Sequence, residues 1–509
     1  MAGIGFELKK LFKERSVVNL LKGAFYSTFT TIGPMIIFIA AYLLLYIILG
    51  YQNINYHSKD LLTGILLYVF IFSLIFTSPV SAVVSRYVAD KIFEEKLKDI
   101  MASYYAGLLI NVVLSLIFAV PFICHMLIAG KIDPLLTLSV FCMFAGLLVV
   151  FFNMTYLSAL KEYKSISISF LTGMGVAIVT AFIMHNILGV EFVLTVVSAG
   201  AFGIVIIAFL LYALIKRFFG ESNKNYREFL GYFKRYFILF LTNLCYILGL
   251  YVHNFVFWGH RSYQIVVDQS FVSAPVYDTA TFIAMLTSVS ATVIFTVRVE
   301  INFHEKYQAY CQELIGGVGR AIVTAKNNMF STLIKEVTYI VQTQIIITIV
   351  MFLVFMIFGQ TLGFGGMVLV LYPSMAAAYF VVFIMYGMIV FLYYFDDRPG
   401  AFITSFIFLA ITFFGALIAK GFDPVFQGIG PFIGGFAAFG FSYFRLRYIE
   451  KNLDRQMYCR GEIIKRKPLK SDDRHIIIPE NRRPLDGPKP EELFKPGGKP
   501  APPSPIAKT

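Results

Sequence analysis

The sequence has little of what metal-binding proteins and many enzymes depend on. Its 509 residues include five cysteines, seven histidines and a single tryptophan. The cysteines are scattered, without a CxxC pair or a His-rich neighbour, so they support neither a metal site nor a disulfide framework, and we predict no metal and no cofactor. The chain also lacks GxxxxGK[ST], HExxH and a convincing Ser-His-Asp set, so we expect it not to be an enzyme.

Charge is also scarce. Charged residues make up 14 % of the chain and hydrophobic residues 58 %, and mean hydropathy is +0.74. A membrane-spanning helix needs roughly 20 apolar residues to cross a hydrocarbon core of about 30 Å. The sequence therefore predicts an all-α integral membrane protein with twelve transmembrane helices, at 24–50, 61–85, 101–129, 134–159, 165–189, 191–215, 233–258, 276–298, 337–358, 366–394, 400–419 and 424–446.

The net charge of +13 is distributed unevenly. Lysine and arginine fill the N-terminus and the second, fourth, sixth and eighth connections between spans. The alternate connections hold only Lys59, Lys131, Arg261 and Lys420. Because basic residues stay on the cytoplasmic side, this pattern predicts a multi-pass protein of the cytoplasmic membrane with both termini cytoplasmic. It does not indicate a nucleic-acid partner.

The spans fall into two groups of six. A basic amphipathic approach precedes the first and the seventh span, and Ser85-Arg86 near the end of the second span is matched by Val297-Arg298 at the end of the eighth. These similarities predict two pseudo-symmetric six-helix bundles, related by a parallel repeat. We divide the chain into an amphipathic cytoplasmic helix (1–22), a first bundle (23–215), a cytoplasmic linker (216–232), a second bundle (233–447) and a basic, Pro-rich disordered cytoplasmic tail (448–509).

The span at 276–298 has a polar face. Small and hydroxyl side chains recur on it at three- and four-residue steps, and they include Thr281, Ala284, Ser288, Thr292 and Thr296. Asp278 stands at one end of this span, and Arg298 and Glu300 stand at the other. A row of this kind fits a face toward protein or water better than one toward lipid, so we predict a helix that lines a route across the membrane. A purely structural helix remains the alternative, since Ser and Thr also bond to their own backbone.

Two other spans carry candidate path residues. In the span 233–258, Asn243 and His253 share one face. In the span 366–394, tyrosine recurs every seven residues, at Tyr372, Tyr379, Tyr386 and Tyr393, which makes one stripe along the helix. Flat rings that carry a hydroxyl suit a sugar, although tyrosine is also common at membrane interfaces and aromatic residues are abundant here.

Three segments together resemble the PelG family of Pel exopolysaccharide transporters. They are the opening MAGIGFELKKLF, the Gly33-Pro34 pair, and the SAPVYD…RVE…F…KY run from Ser273 to Tyr307. The resemblance implies a MATE/polysaccharide-exporter-like fold with two six-helix bundles around a central cavity. It also implies export of an N-acetylhexosamine polymer for the biofilm matrix, together with a cytosolic glycosyltransferase and membrane partners regulated by cyclic di-GMP.

The leading hypothesis is therefore a polysaccharide exporter. In it Asp278 shapes the outer mouth, Arg298 and Glu300 shape the inner mouth, and residues 300–336 dock the glycosyltransferase. Three alternatives stay open: a lipid-linked oligosaccharide flippase, a cation-coupled antiporter, and a non-transporting membrane scaffold for a glycosyltransferase. The antiporter would require a carboxylate deep in a bundle, and the sequence does not reveal one.

Overall fold

The computed structural model of the protein describes residues 17–160, 163–361 and 363–460. The first half contains six helices: α1 (Val17–Ile48), α2 (Tyr56–Phe93), α3 (Leu97–Ile128), α4 (Pro134–Leu160), α5 (Tyr163–Phe182) and α6 (Phe192–Phe219). A π-helical turn, Ile183–Ile187, extends α5. The short helix α7 (Tyr226–Arg235) then leads into the second half.

The second half begins with α8 (Phe237–Phe257) and a two-stranded antiparallel hairpin, β1 (Ile265–Val267) and β2 (Phe271–Ser273). The remaining helices are α9 (Pro275–Arg298), α10 (His304–Gly316), α11 (Gly319–Phe358), α12 (Gly366–Tyr394), α13 (Arg398–Ala419) and α14 (Ile429–Arg460). A π-helical turn, Val299–Phe303, joins α9 to α10.

Each of the twelve predicted spans coincides with a helix. In the part of the chain that the structure describes, ten helices are long and apolar enough to cross a membrane, and Gly33–Ile48 of α1 is a shorter apolar helix. The predicted span at 276–298 corresponds to α9. Ten of the twelve predicted spans therefore match helices that are long and apolar enough to cross a membrane, while the predicted spans at 24–50 and 276–298 are helical but are not among those ten of the described residues.

Some boundaries differ from the predicted ones. α6 continues to Phe219 and α7 begins at Tyr226, so helix occupies part of the predicted linker. α14 continues to Arg460, past the predicted start of the tail, while 461–509 lie outside the described residues. Of the amphipathic helix predicted at 1–22, residues 1–16 also lie outside them, and α1 begins at Val17. Contacts divide the chain into one unit of Met1–Lys451 and another of Asn452–Thr509.

Helices pack mainly within their own half. In the first half, α6 packs on α4 and α5, and α2 packs on α4; in the second, α8 packs on α13 and α9 packs on α12. Glycines allow α13 and α14 to approach closely, since a Cβ added at Gly430 would lie 2.6 Å from the backbone nitrogen of Ala416. The main contact between the halves is that of α2 with α8. We call the surface where α2 meets α8, the hairpin and the α12–α13 connection the seam.

Candidate functional site at the seam

The middle of the seam is joined by Asn243, one of the predicted path residues. Its Nδ2 donates hydrogen bonds to the carbonyl oxygen of Ser78 at 2.7 Å and to the Ser78 hydroxyl at 2.9 Å. Ser78 precedes Pro79 inside α2. Asn243 therefore links α8 to the stretch of α2 that contains Pro79, a residue without a backbone N–H for the helical hydrogen bond.

The hairpin closes one end of the seam, which we call the hairpin end. Its residue Phe271 is fully buried in the hydrophobic core of the first half. Gly64 of α2 makes room for it, because a Cβ added there would lie 3.1 Å from the Phe271 Cβ. The hydroxyl of Tyr68 donates to the carbonyl oxygen of Val272 at 2.9 Å and accepts from its N–H at 3.0 Å. A segment of the second half is thus held by the first.

Two histidines of the first half contact the turn of the hairpin. The Nε2 atom of His57, in the first turn of α2, lies 2.9 Å from Oδ1 of Asp268. The Nε2 atom of His125, near the end of α3, lies 3.1 Å from the carbonyl oxygen of Gln269. Asp268 and Gln269 both have positive φ, at 46° and 51°, which is unfavourable for non-glycine residues. The strained turn of the hairpin is therefore contacted on both of its residues by side chains of the first half.

Asp278 lies just behind the hairpin and is only 8 % exposed. Its carboxylate accepts hydrogen bonds from Asn254 Nδ2 at 2.7 Å, from Trp258 Nε1 at 3.0 and 3.1 Å, and from the Ala274 N–H at 3.0 Å. Several donors of this kind are what a buried carboxylate requires. The residue predicted at an outer mouth is therefore held in a closed polar cluster.

His253 is fully buried one residue before Asn254. Its Nδ1 lies 2.9 Å from the hydroxyl of Tyr277, and its Nε2 lies 3.2 Å from the hydroxyl of Tyr379. The Tyr379 hydroxyl also lies within hydrogen-bonding distance of the Leu250 carbonyl, to which it can donate at 3.2 Å. These contacts tie α8, α9 and α12 together inside the second half.

The tyrosine stripe of α12 faces protein. Tyr372 and Tyr379 are buried, Tyr386 packs on Tyr246 with ring centroids 5.1 Å apart, and Tyr393 packs against the cluster that contains Tyr236. Their role in a sugar path stays a prediction.

The opposite end of the seam, which we call the basic end, is joined by Arg86 and Asp396. The Arg86 Nη1 lies 2.8 Å from Asp396 Oδ1, and Arg398 bonds the same carboxylate at 2.8 and 3.1 Å. Both guanidinium groups lie over the ring of Tyr236, at 4.7 and 4.5 Å from its centroid. Burial acts to raise the pKa of Asp396, but the two arginines outweigh it and hold this pKa below its ordinary value.

The contact between Arg86 and Asp396 was not predicted from the sequence. The available signal was the charged run Asp396-Asp397-Arg398 between two apolar spans. Asp397 is fully buried and bonds Arg445 at 2.6 and 2.9 Å.

Arg298 lies at the far end of α9, in a different contact. Its guanidinium bonds Glu336 of α11 at 2.5 and 3.2 Å, and Asn302 bonds the same carboxylate at 2.7 Å. The Ser288 hydroxyl donates to the carbonyl oxygen of Met285 in its own helix. Thr292 lies in α9 and Glu300 in the π-helical turn after it, and their side chains lie outside the described part of the structure.

The fold resembles that of solved MATE family transporters. The chain is similar to an inward-facing multidrug resistance MATE family transporter of the MOP superfamily, with a TM-score of 0.55 and 12 % identity over 78 % of this chain and 92 % of that one. It is also similar to an outward-facing MATE family transporter, with a TM-score of 0.55 and 15 % identity over 89 % of this chain and 100 % of that one. The chain is similar as well to a MOP superfamily transporter from Pyrococcus furiosus Vc1 (DSM3638), with a TM-score of 0.55 and 15 % identity over 84 % of this chain and 96 % of that one.

These similarities define the protein as an all-α, multi-pass membrane protein with the MATE-type fold. The chain belongs to the PelG family, whose model, "Putative exopolysaccharide Exporter (EPS-E)", matches residues 1–458. The family predicted from the three sequence segments is thus confirmed, and both family and fold are those of transporters rather than enzymes. No curated protein matches the chain.

Proposed function

We propose that this chain exports a Pel-like N-acetylhexosamine polymer across the cytoplasmic membrane for the biofilm matrix, with both of its termini in the cytoplasm. The family match over 1–458 and the MATE-type fold support export of an exopolysaccharide. The observation that carries the proposal is the seam, which is held by separate sets of polar contacts at its two ends. A polymer that crosses the protein between the halves has to pass both sets.

The two ends can open independently. His57 and Arg86 lie on the same helix, about 44 Å apart at a rise of about 1.5 Å per residue. Contacts this far apart do not depend on each other directly, so one end can part while the other holds. Rocking of one half against the other then moves the polymer from the basic end to the hairpin end.

A glycosyltransferase docks, in this proposal, on the segment 300–336. α10 and the beginning of α11 form its helical hairpin, and Ile315 and Val318 at its tip are 90 % and 76 % exposed. Large apolar side chains this exposed are suited to burial against a partner. We place the cytosolic glycosyltransferase here and expect the cyclic di-GMP-regulated membrane partners in the same complex.

A cation-coupled exporter is the second candidate. The favouring observation is the burial of Asp278, since a buried carboxylate in a membrane protein is the type of group that couples transport to protons or other cations. In this version, binding of a cation at Asp278 loosens its bonds to Asn254 and Trp258. Vesicles that contain the purified protein would distinguish a cation-coupled exporter from one that is not coupled to cations. Only the coupled exporter changes its rate of polymer transport when an ion gradient is imposed.

The first test uses cells that make the polymer. The protein is deleted and then restored as the wild type or as the Asp278→Asn form, and hexosamine polymer is measured inside and outside the cells. Polymer trapped inside the deletion strain supports export by this chain. Normal amounts outside that strain would refute it. Loss of polymer from both compartments would mean that synthesis depends on the chain, and reconstitution of the purified proteins would then separate a tightly coupled exporter from the scaffold alternative, in which the protein only activates the synthase.

A further inference from the structure

Two pairs of aromatic rings face each other across the seam. Tyr68 of α2 stacks on Trp258, which follows α8, with ring centroids 5.0 Å apart and planes 9° apart. Phe72 of α2 stacks on Phe255 of α8, at 5.9 Å and 8°. In each pair one ring comes from each half, so separation of the halves at the hairpin end frees four flat ring faces.

The pairs belong to a longer row. Tyr68, Phe72 and Phe76 follow one another at four-residue steps and therefore lie on one face of α2 over roughly 12 Å. Phe122 of α3 stacks on Tyr68 at 5.5 Å, and Phe118 stacks on Phe76 at 5.1 Å. The row thus runs from the hairpin end toward the middle of the seam.

Polar groups adjoin the rings. The Trp258 indole donates to Asp278, and Asn254, next to Phe255, donates to the same carboxylate. Asn254 is 2 % exposed, and its Oδ1 has no hydrogen-bond partner among the described residues. A buried acceptor without a partner is costly by about 1–3 kcal/mol. A hydroxyl or amide N–H of an incoming ligand would satisfy it.

Hexose rings match this combination. Their C–H faces are apolar and flat enough to stack on aromatic rings, while hydroxyl and acetamido groups at their edges form hydrogen bonds. Ligand sites typically combine apolar and aromatic walls with a small number of polar groups. The stripe on α12 differs from the seam rings in its partners, because Tyr379 bonds His253 and Leu250 of its own half.

We propose that Tyr68, Phe72, Phe255 and Trp258 form a sugar-binding subsite for the exported hexosamine polymer. Asn254 and Asp278 supply its polar contacts. When the hairpin end opens, sugar rings replace the stacked partner of each aromatic ring, which offsets the loss of contact between the halves. The subsite rests on the proposed function and adds to it the place where the polymer is held.

Trp258 makes the subsite directly observable. It is the single tryptophan of the 509-residue sequence, so emission excited at a wavelength that tryptophan absorbs and tyrosine does not comes from the proposed site. The experiment titrates the full-length protein in detergent with an oligomer of four to six N-acetylglucosamine units and follows emission. Export of polymer by the same variants is measured in cells.

The variants are Phe72→Leu and Phe255→Leu, and Phe70→Leu is the matched control. Phe70 lies on the same helix and packs on Phe151 of its own half at 5.7 Å, so its loss removes a ring without changing the seam. We expect a saturable change in emission, a half-saturating concentration raised roughly fivefold in each seam variant, and no more than a twofold change in the control. Export should fall in the seam variants only.

Two results would overturn the subsite. One is a saturable change of emission whose half-saturating oligomer concentration is the same in the seam variants and in the control, which would place sugar binding elsewhere. The other is the absence of any emission change together with export by both seam variants at the level of the Phe70→Leu control. In either case, secretion that still requires the chain would leave the export function standing, whereas secretion without the chain would refute that function separately.

Discussion

The indole Nε1 of Trp258 lies 3.0 and 3.1 Å from the two carboxylate oxygens of Asp278, and the same indole stacks on Tyr68 of the first half. One side chain therefore connects a buried carboxylate of α9 to the seam. A change of charge or hydration at Asp278 alters the hydrogen bonds that orient Trp258. A change at Asp278 thereby alters the stacking of Trp258 on Tyr68 between the halves, and it requires no large movement of α9.

Asp278→Asn tests this connection. The new amide group would direct its own N–H donors toward donors of Asn254, Trp258 or Ala274, so that contacts worth roughly 1.5–3 kcal/mol are lost. We expect export to fall at least about fivefold, while membrane immunoblots show a normal amount of protein.

Asp133→Asn is its matched control. Asp133 accepts hydrogen bonds from the backbone of Leu135 and Leu136 at the start of α4, and asparagine serves equally well in that position. Equal export by the two variants would contradict a special role for Asp278.

Arg86→Gln tests the basic end. It removes the ion pair with Asp396 and its interaction with the Tyr236 ring. Because both members of the pair are partly exposed, we expect a contribution of about 1 kcal/mol, which corresponds to about fivefold in the equilibrium of opening. A cysteine placed at the buried Val83 of the seam should then react about fivefold faster with a soluble maleimide.

Arg447→Gln provides the comparison for Arg86. Its ion pair with Glu450 lies within α14 and leaves the seam untouched. If maleimide labelling at position 83 is equally fast in both variants, Arg86 does not hold the basic end closed.

The pH dependence of the basic end follows from Asp396. Its pKa is lower in the folded protein than its ordinary value, so its stabilising contribution is complete above that ordinary value, about 4, and declines as pH falls through the folded pKa. The difference in Tm between wild type and Asp396→Asn should therefore be constant from pH 8 to about pH 6 and shrink toward zero below about pH 4. A difference that grew on acidification would contradict this arrangement.

Glu336→Gln tests the contact behind Arg298. Glu336 is buried and accepts bonds from both Arg298 and Asn302, so its loss leaves a partly exposed guanidinium without its counterion. We expect unfolding to become easier by about 1–3 kcal/mol, seen as a lower Tm of the purified protein. Glu450→Gln, at an exposed ion pair within one helix, should change the free energy of unfolding by less than about 0.5 kcal/mol. Similar Tm values for the two would show that the Arg298 contact is not structural.

Gly430→Ala and Gly440→Ala form a pair within one helix. An added Cβ at Gly430 would meet the backbone of Ala416 at 2.6 Å, whereas at Gly440 it would meet nothing within 4 Å. We expect Gly430→Ala to destabilise the protein by about 1–3 kcal/mol and Gly440→Ala to be neutral or slightly stabilising, because alanine favours helix. Thermal unfolding in detergent measures both, and a stable Gly430→Ala protein would mean that α13 and α14 can move apart at no cost.

The membrane-spanning helices and the family could be predicted from the sequence. Transfer from water to hydrocarbon is decided residue by residue, so an apolar run such as 366–394 reveals a span without knowledge of its neighbours. The same reasoning identified Asp278, His253 and Asn243, since a polar residue inside an apolar span stands out whatever it contacts.

Only the tertiary structure decided what those residues contact. Arg86 and Asp396 are 310 residues apart in the chain, and His57 and Asp268 are 211 apart. Such pairs depend on how helices rotate and approach one another, which is set by packing across the whole bundle rather than by local composition. The sequence by itself therefore determined that the chain crosses the membrane many times and where its polar groups lie, while tertiary packing placed Asp278 beside Trp258 and joined the two halves at the seam.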